Sequence, residues 1–180
     1  IHDRRQRQMC IRDRTNSAAQ IQLFEALGSS PPRLGHLSLL TDISGEGLSK
    51  RLGSLSLKDL RQEGFQPMAI SSLLSKVGTS DAIDIFKNIN QIIDDFDINK
   101  FGKSKPKFDK VELLNLNSKF FQLTNFDDIS NQLNTLDFEI TTEFWNLIKG
   151  NINTFNDIKF WWDIVSVSYT HLTLPTIVDV

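Results

Sequence analysis

The sequence predicts a mainly α-helical chain, with one short strand and one glycine-bearing turn ahead of the helices. Three observations carry this. From Ser56 onward, apolar residues recur at spacings of three and four, the helical period, rather than two. Start and stop signals bracket those runs, with Ser56, Pro67 and Asp109 at beginnings and Gly64 at an end. The one short run that reads better as a strand, HLSLLT from His36 to Thr41, is followed at once by the turn sequence DISGEG. With 180 residues, 39% hydrophobic and 23% charged, the chain has the composition of one globular domain or parts of two.

The two ends stand outside this pattern. Residues 1–14, IHDRRQRQMCIRDR, have a codon choice whose reverse complement translates as SVSYTHLTLPTIVD, the sequence of residues 166–179. Protein evolution has no reason to make such a repeat, because complementary strands do not encode related side chains. The DNA also resembles a transposon adapter of sequencing libraries. Residues 1–14 and 166–180 are therefore expected to be translated adapter, set aside from fold reasoning and poorly packed. Residues 15–165 are expected to be an interior piece of a longer protein.

Setting the ends aside removes Cys10, His2 and His171, and leaves His36 as the only histidine. Disulfides, zinc–thiolate sites and thiol catalysis are excluded for what remains. Fifteen Lys and Arg against nineteen Asp and Glu leave 15–165 at net −4, so any nucleic-acid contact must use local patches. No apolar run is long enough to span a membrane.

Along the chain, SAAQIQLFEAL (17–27) reads as a helix closed by Gly28, with Ile21, Phe24 and Leu27 on one stripe. Ser29-Ser30-Pro31-Pro32 ends it. The strand at 36–41 and the turn at 42–47 follow, then a basic loop, Leu48 to Ser54. Ser56 to Asp59 resembles a capping box, and Gly64 closes that short helix. Pro67 opens the next at a favourable first-turn position. Ile85, Ile89, Ile92 and Phe96 mark a further helix. Asp109 caps a longer one whose expected buried stripe is Leu113, Leu116, Phe120 and Leu123. Two more are expected near Asp127–Leu133 and Thr142–Ile148, and a last from about Thr154.

Lys100 to Lys107, KFGKSKPK, is the one dense basic stretch. Lys100, Lys103, Lys105 and Lys107 read either as a solvated loop or as contacts to RNA phosphates, since lysines supply the sequence-independent part of such binding. The pairs Asp94-Asp95 and Asp127-Asp128 read as solvated helix faces with no acid–base role. A mobile loop carrying Lys50 can follow charge developing on phosphates, and Gly45, Gly47 and Gly53 let the backbone turn and approach a ligand.

Taken in order, these segments resemble the bacterial glutamyl-tRNA synthetases, class I enzymes whose signature loop reads K-[ML]-S-K-[SR]. Here it is Gly47-Leu48-Ser49-Lys50-Arg51. TNSAAQIQLFEALG and PPRLGHLSLL precede it in the family's order, and SLKDLRQEGFQPMA, KFD, LNLN and WWD follow. The resemblance covers essentially all of 15–165. It implies that 15–55 is the tail end of a class I α/β nucleotide-binding domain. It implies that 56–165 is an α-helical domain on the tRNA-stem and anticodon side, incomplete at its C-terminal end.

The resemblance further implies ATP, accompanied by Mg2+, as the activating substrate, with no protein ligand to the metal. L-glutamate and tRNA(Glu) are the other partners, and the residues do not separate enzymes that charge tRNA(Glu) alone from those that also charge tRNA(Gln). Lys50 would be the catalytic lysine facing the phosphates, with Ser49 and Arg51 shaping the loop. Thr15, Asn16 and Ser17 would lie toward the amino acid and adenylate. A cytoplasmic protein, off the membrane and monomeric at full length, is expected. Two features depart from the family. Gly47 replaces the first signature lysine, and the His-Ile-Gly-His motif is absent, with His36 read as structural. The fragment alone is therefore expected to be inactive. The alternatives are a non-catalytic helical fragment that binds the tRNA stem, a glutaminyl-tRNA synthetase, or a truncated glutamyl-transferring paralogue.

Overall fold

The computed structural model describes residues 14–35, 37–48 and 56–170, with backbone alone for 14–16 and 167–170. The described part is mainly helical, as expected. The chain divides into two compact units between Leu37 and Ser38. In the first, α1 (Arg14–Ala26) ends where Gly28 takes a positive φ of 72° and the Ser29 amide donates to the Phe24 carbonyl at 2.9 Å. That pairing closes a helix by letting a glycine adopt the left-handed conformation. Ile21 and Phe24 are half-buried, but Leu27, expected on the same stripe, is exposed.

The second unit carries the remaining helices. α2 (Leu57–Gln62) starts in a complete capping box: the Ser56 hydroxyl accepts from the Asp59 amide, and the Asp59 carboxylate accepts from the Ser56 amide. Gly64 reverses the chain, and α3 (Pro67–Lys76) opens on Pro67. The helix expected to include Ile85 begins later. Asn88 caps it by accepting from the Gln91 amide, so α4 is Ile89–Asp95, with Ile92 its one buried residue. A single 3₁₀ turn, Ile98–Lys100, follows. The chain continues as α5 (Lys110–Leu123), α6 (Phe126–Leu133), α7 (Thr142–Ile148) and α8 (Asp157–Thr170). α8 runs without a break through position 166, where adapter sequence was expected to begin.

Two hydrophobic cores sit end to end along α5. Leu60, Phe65, Ala69, Leu73, Val77, Phe108, Leu113 and Leu116 form the first, where α3 packs on α5. Phe121, Ile129, Leu133, Ile140, Trp145, Ile148, Ile152 and Ile158 form the second. The Trp145 indole N–H donates to the Thr124 carbonyl at 3.2 Å, so the largest buried side chain leaves no polar atom unpaired.

The buried stripe of α5 differs from the expected one. Leu113, Leu116, Asn117 and Phe121 are buried, while Leu123 is half exposed. Asn117 belongs to the inner face because both ends of its amide are used. Its Oδ1 accepts from the Gln66 amide at 2.7 Å, and its Nδ2 donates to the Asn153 carbonyl at 2.5 Å. A reading by hydropathy alone discards such a residue.

A strand was expected at 36–41; His36 lies outside the described residues, and 37–41 form no strand. Among the described residues, β-structure is confined to two single-residue bridges at Thr41, one to Gly47 and one to Lys107. A strand requires a ladder of neighbours, and the described residues supply one bridge on each side.

Candidate functional site

The lysine loop is reached through a braced turn. Thr41 is 1% exposed and fully paired. Its amide and hydroxyl both donate to the Pro106 carbonyl, at 2.9 and 3.1 Å, and its carbonyl accepts from the Phe108 amide at 2.7 Å. The Ser38 hydroxyl donates to the Lys103 carbonyl at 2.9 Å. The extended segment 38–41 is therefore held along 103–108, and Leu40 packs against the first helical core.

From Thr41 the chain reverses over Asp42–Gly47. The Asp42 amide donates to the Glu46 carbonyl at 2.8 Å, and the Gly45 amide donates to the Asp42 carbonyl at 3.0 Å. The Asp42 carboxylate accepts from the Ser44 hydroxyl at 2.6 Å and from the Glu46 amide at 2.9 Å. The Ser44 hydroxyl, joined by backbone amides of the turn, holds this carboxyl below its ordinary value against some desolvation. Gly45 has a φ of 89°, a conformation that only glycine adopts without strain. Gly47 bridges back to Thr41 and Leu48 is exposed. Ser49, Lys50 and Arg51 lie outside the described residues, as does His36.

The basic stretch divides by role. The Lys100 ammonium is committed to Asp81 at 2.8 Å. Lys103, Lys105 and Lys107 are exposed and make no ion pair among the described residues. They sit on the segment that braces the turn. In the other unit, Ser17 is buried on α1, and the side chains of Thr15 and Asn16 lie outside the described residues.

Of the acidic pairs read as solvated faces, Asp127 and Asp128 occupy the first turn of α6, where carboxylates complement the helix dipole. Asp95 does more: its carboxylate pairs with Lys76. Thr41 and Asp42 were missed as supports of the loop. Asp42 had a legible signal, since Asp followed by Ser and Gly favours a side-chain-closed turn. The brace at Thr41 had none, because it joins residues 65 positions apart.

Comparison with known proteins places the chain in a family. The domain described as tRNA synthetases class I (E and Q), catalytic domain, matches residues 11–115. A glutamate–tRNA ligase 2 of Orientia tsutsugamushi (strain Boryong) is 43% identical over 152 residues, which is 83% of this chain and 34% of that protein. A glutamate–tRNA ligase of Azospirillum brasilense is 44% identical over 151 residues, with the same coverage. The crystal structure of a glutamate tRNA ligase from Elizabethkingia meningosepticum, in complex with its amino acid, aligns with a TM-score of 0.62. That alignment has 24% identity, covers 83% of this chain and 35% of that one, and bears on the fold alone. The chain spans about a third of the length of the curated relatives it matches. With the catalytic-domain match covering more than half of its residues, the chain belongs to the class I tRNA synthetases of the glutamate and glutamine type.

Proposed function

We propose that the full-length protein containing this chain is a glutamate–tRNA ligase. It activates L-glutamate with ATP to give glutamyl-adenylate and pyrophosphate, then transfers the glutamyl group to the terminal ribose of tRNA(Glu). The observation that carries this reading is the braced turn Asp42–Gly47, which leads directly into Leu48-Ser49-Lys50-Arg51 in a chain of this family. A lysine loop must move to follow the phosphates, whereas its base must be fixed for the motion to be aimed. The hydrogen bonds at Thr41 and Asp42 supply a fixed base.

In this reading Lys50 stabilises negative charge developing on the phosphates, and Mg2+ arrives with ATP as part of the substrate. Gly47 contributes no ammonium group, so Lys50 carries that role without the family's first lysine. Thr15, Asn16 and Ser17 lie toward the adenylate. Lys103, Lys105 and Lys107, free of ion pairs beside the turn, contact tRNA phosphates. Glutamate is favoured over glutamine because the relatives cited above are glutamate–tRNA ligases. A cytoplasmic monomer fits this reading, and no helix among the described residues is long and apolar enough to cross a membrane.

Charging assays on the full-length protein test this. With ATP and Mg2+ present, glutamate should be attached to tRNA(Glu), and a parallel assay with tRNA(Gln) reports whether that acceptor is shared. Charging with glutamine and not glutamate, or with neither, would overturn the assignment.

A further inference from the structure

The junction of the two cores holds a cleft. Two adjoining hollows, of about 560 and 500 Å³, share Gln66 and Gln132 in their walls. Such volumes are those of small-molecule sites. Gln66 stands immediately before the ten-residue helix α3. Its amide N–H is taken by Asn117, but its side chain forms no capping bond and no other hydrogen bond. The residue is only 5% exposed. Buried carboxamides are nearly always paired, because a lost partner costs the desolvation of a donor and an acceptor. No side-chain polar atom among the described residues is both sealed from solvent and unpartnered. The Gln66 carboxamide therefore reaches open space, and that space is the cleft it lines.

The larger hollow surrounds this carboxamide with Phe65, Pro67, Ile70 and Phe155. Arg61 also lines it, exposed and without an ion pair among the described residues. A flat apolar ring with hydrogen-bonding groups on its edge satisfies both surfaces at once. A carboxamide offers a donor beside an acceptor, the pattern that reads a base edge, and aromatic side chains take base faces. A purely apolar ligand would leave Gln66 unpaired. A simple anion would leave the apolar wall wet.

We propose that this cleft binds an unpaired nucleotide. The base edge pairs with the Gln66 carboxamide, the ring lies against Phe155 and Ile70, and the phosphate meets Arg61. The proposal does not rest on Lys50, and its failure would leave the ligase reading intact. The nucleotide is either free in solution or an unpaired residue of an RNA.

The test is a titration of the 15N-labelled full-length protein containing this chain with AMP, GMP, CMP and UMP, followed by NMR. At least one nucleotide should shift the Gln66 side-chain amide saturably. Gln66→Leu should weaken that binding about tenfold or more, the scale of one lost bidentate base contact. Arg61→Ala, at an exposed position, should weaken nucleotide binding about threefold and leave the matching nucleoside unchanged. Absence of saturable shifts with all four nucleotides overturns the proposal. So does binding indifferent to Gln66→Leu or, if that variant does not fold, to Arg61→Ala. A single-stranded tetranucleotide that binds more tightly than its mononucleotide, with the same Gln66 dependence, identifies RNA as the source. Equal affinity identifies the free nucleotide.

Discussion

At the scale of single residues, two glycines set the chain's course. Gly64 has a φ of 86°, and a Cβ there would lie 2.9 Å from the amide nitrogens of both Phe155 and Asn156. Those atoms are backbone, and the Phe155 amide also donates to the Gly64 carbonyl at 3.0 Å, so neither can retreat cheaply. Gly64→Ala combines a left-handed strain with a steric clash. It is expected to destabilise the protein by about 2 kcal/mol or more, read as a fall in urea midpoint. An unchanged midpoint would mean that the turn is looser than described. Gly45 turns the backbone with open space around its Cα, so Gly45→Ala should carry the strain without the clash and be the milder change. The Gly64 closure was legible in sequence as a helix stop. Its close approach to residues 155 and 156 was not, because nothing local connects positions more than 90 apart.

At the scale of elements, the caps were the most legible features. Ser56 with Asp59, Pro67, Asp109 and the glycines at 28 and 64 act locally, so their positions fix where helices begin and end. The packing of α5 was legible only in part. Its first half buries Leu113 and Leu116 as periodicity predicts, but its second half turns Asn117 and Phe121 inward. Asn117 satisfies the Gln66 amide on one side and the Asn153 carbonyl on the other, and so links the α2–α3 turn to the loop before α8. Further ties run the same way, with the Asn156 side chain donating to the Gln62 carbonyl at 2.8 Å. Asn117→Leu keeps the volume and strands the buried Gln66 amide, while the part-buried Asn153 carbonyl loses its partner too. A buried orphan costs about 1–3 kcal/mol, so a loss of that size is expected. Chemical denaturation followed by tryptophan fluorescence checks this. A variant as stable as the parent would show that Asn117 does not join the cores.

At the scale of the whole molecule, one charge cluster ties distant segments together. Lys76, at the end of α3, is buried against Asp95 and Asp81, and Asp81 also takes Lys100. The bond to Asp95, then that to Asp81, raises the Lys76 ammonium above its ordinary value. Lys100, then Lys76, lowers the Asp81 carboxyl, and Lys119 does the same for Asp84. The signs give the pH profile. Carboxyls lowered by folding contribute stability above their unfolded value, about 3.9, and that contribution is lost as pH falls through the lowered values. Lys76, raised by folding, contributes below about 10.4 and loses that contribution as pH rises through its raised value. Stability should be flat from about pH 5 to 9 and fall on both sides. Asp81→Asn should flatten both limbs, as read by thermal melting across pH. Acid and alkaline limbs identical to the parent would exclude the cluster. The cluster was illegible in sequence, because Asp81 lies ahead of α4 and Asp95 ends it, both like any solvated acids, and only the fold delivers Lys76 to them. The adapter reading of the ends concerns residues that lie largely outside the described part, apart from the continuation of α8.

The central claim is that Lys50 is the lysine that follows the phosphates, launched from a turn fixed by Thr41 and Asp42. The direct measurement is glutamate-dependent ATP–pyrophosphate exchange, with tRNA present, on the full-length enzyme and its Lys50→Ala variant. The variant should be slower by about 10² to 10³, the scale for losing one transition-state charge contact. Its melting temperature should be nearly unchanged, since a loop lysine that moves with its ligand supports little packing. Equal exchange rates, or a slow variant whose melting temperature has collapsed because Lys50 was held by a carboxylate such as Glu46, would contradict the account.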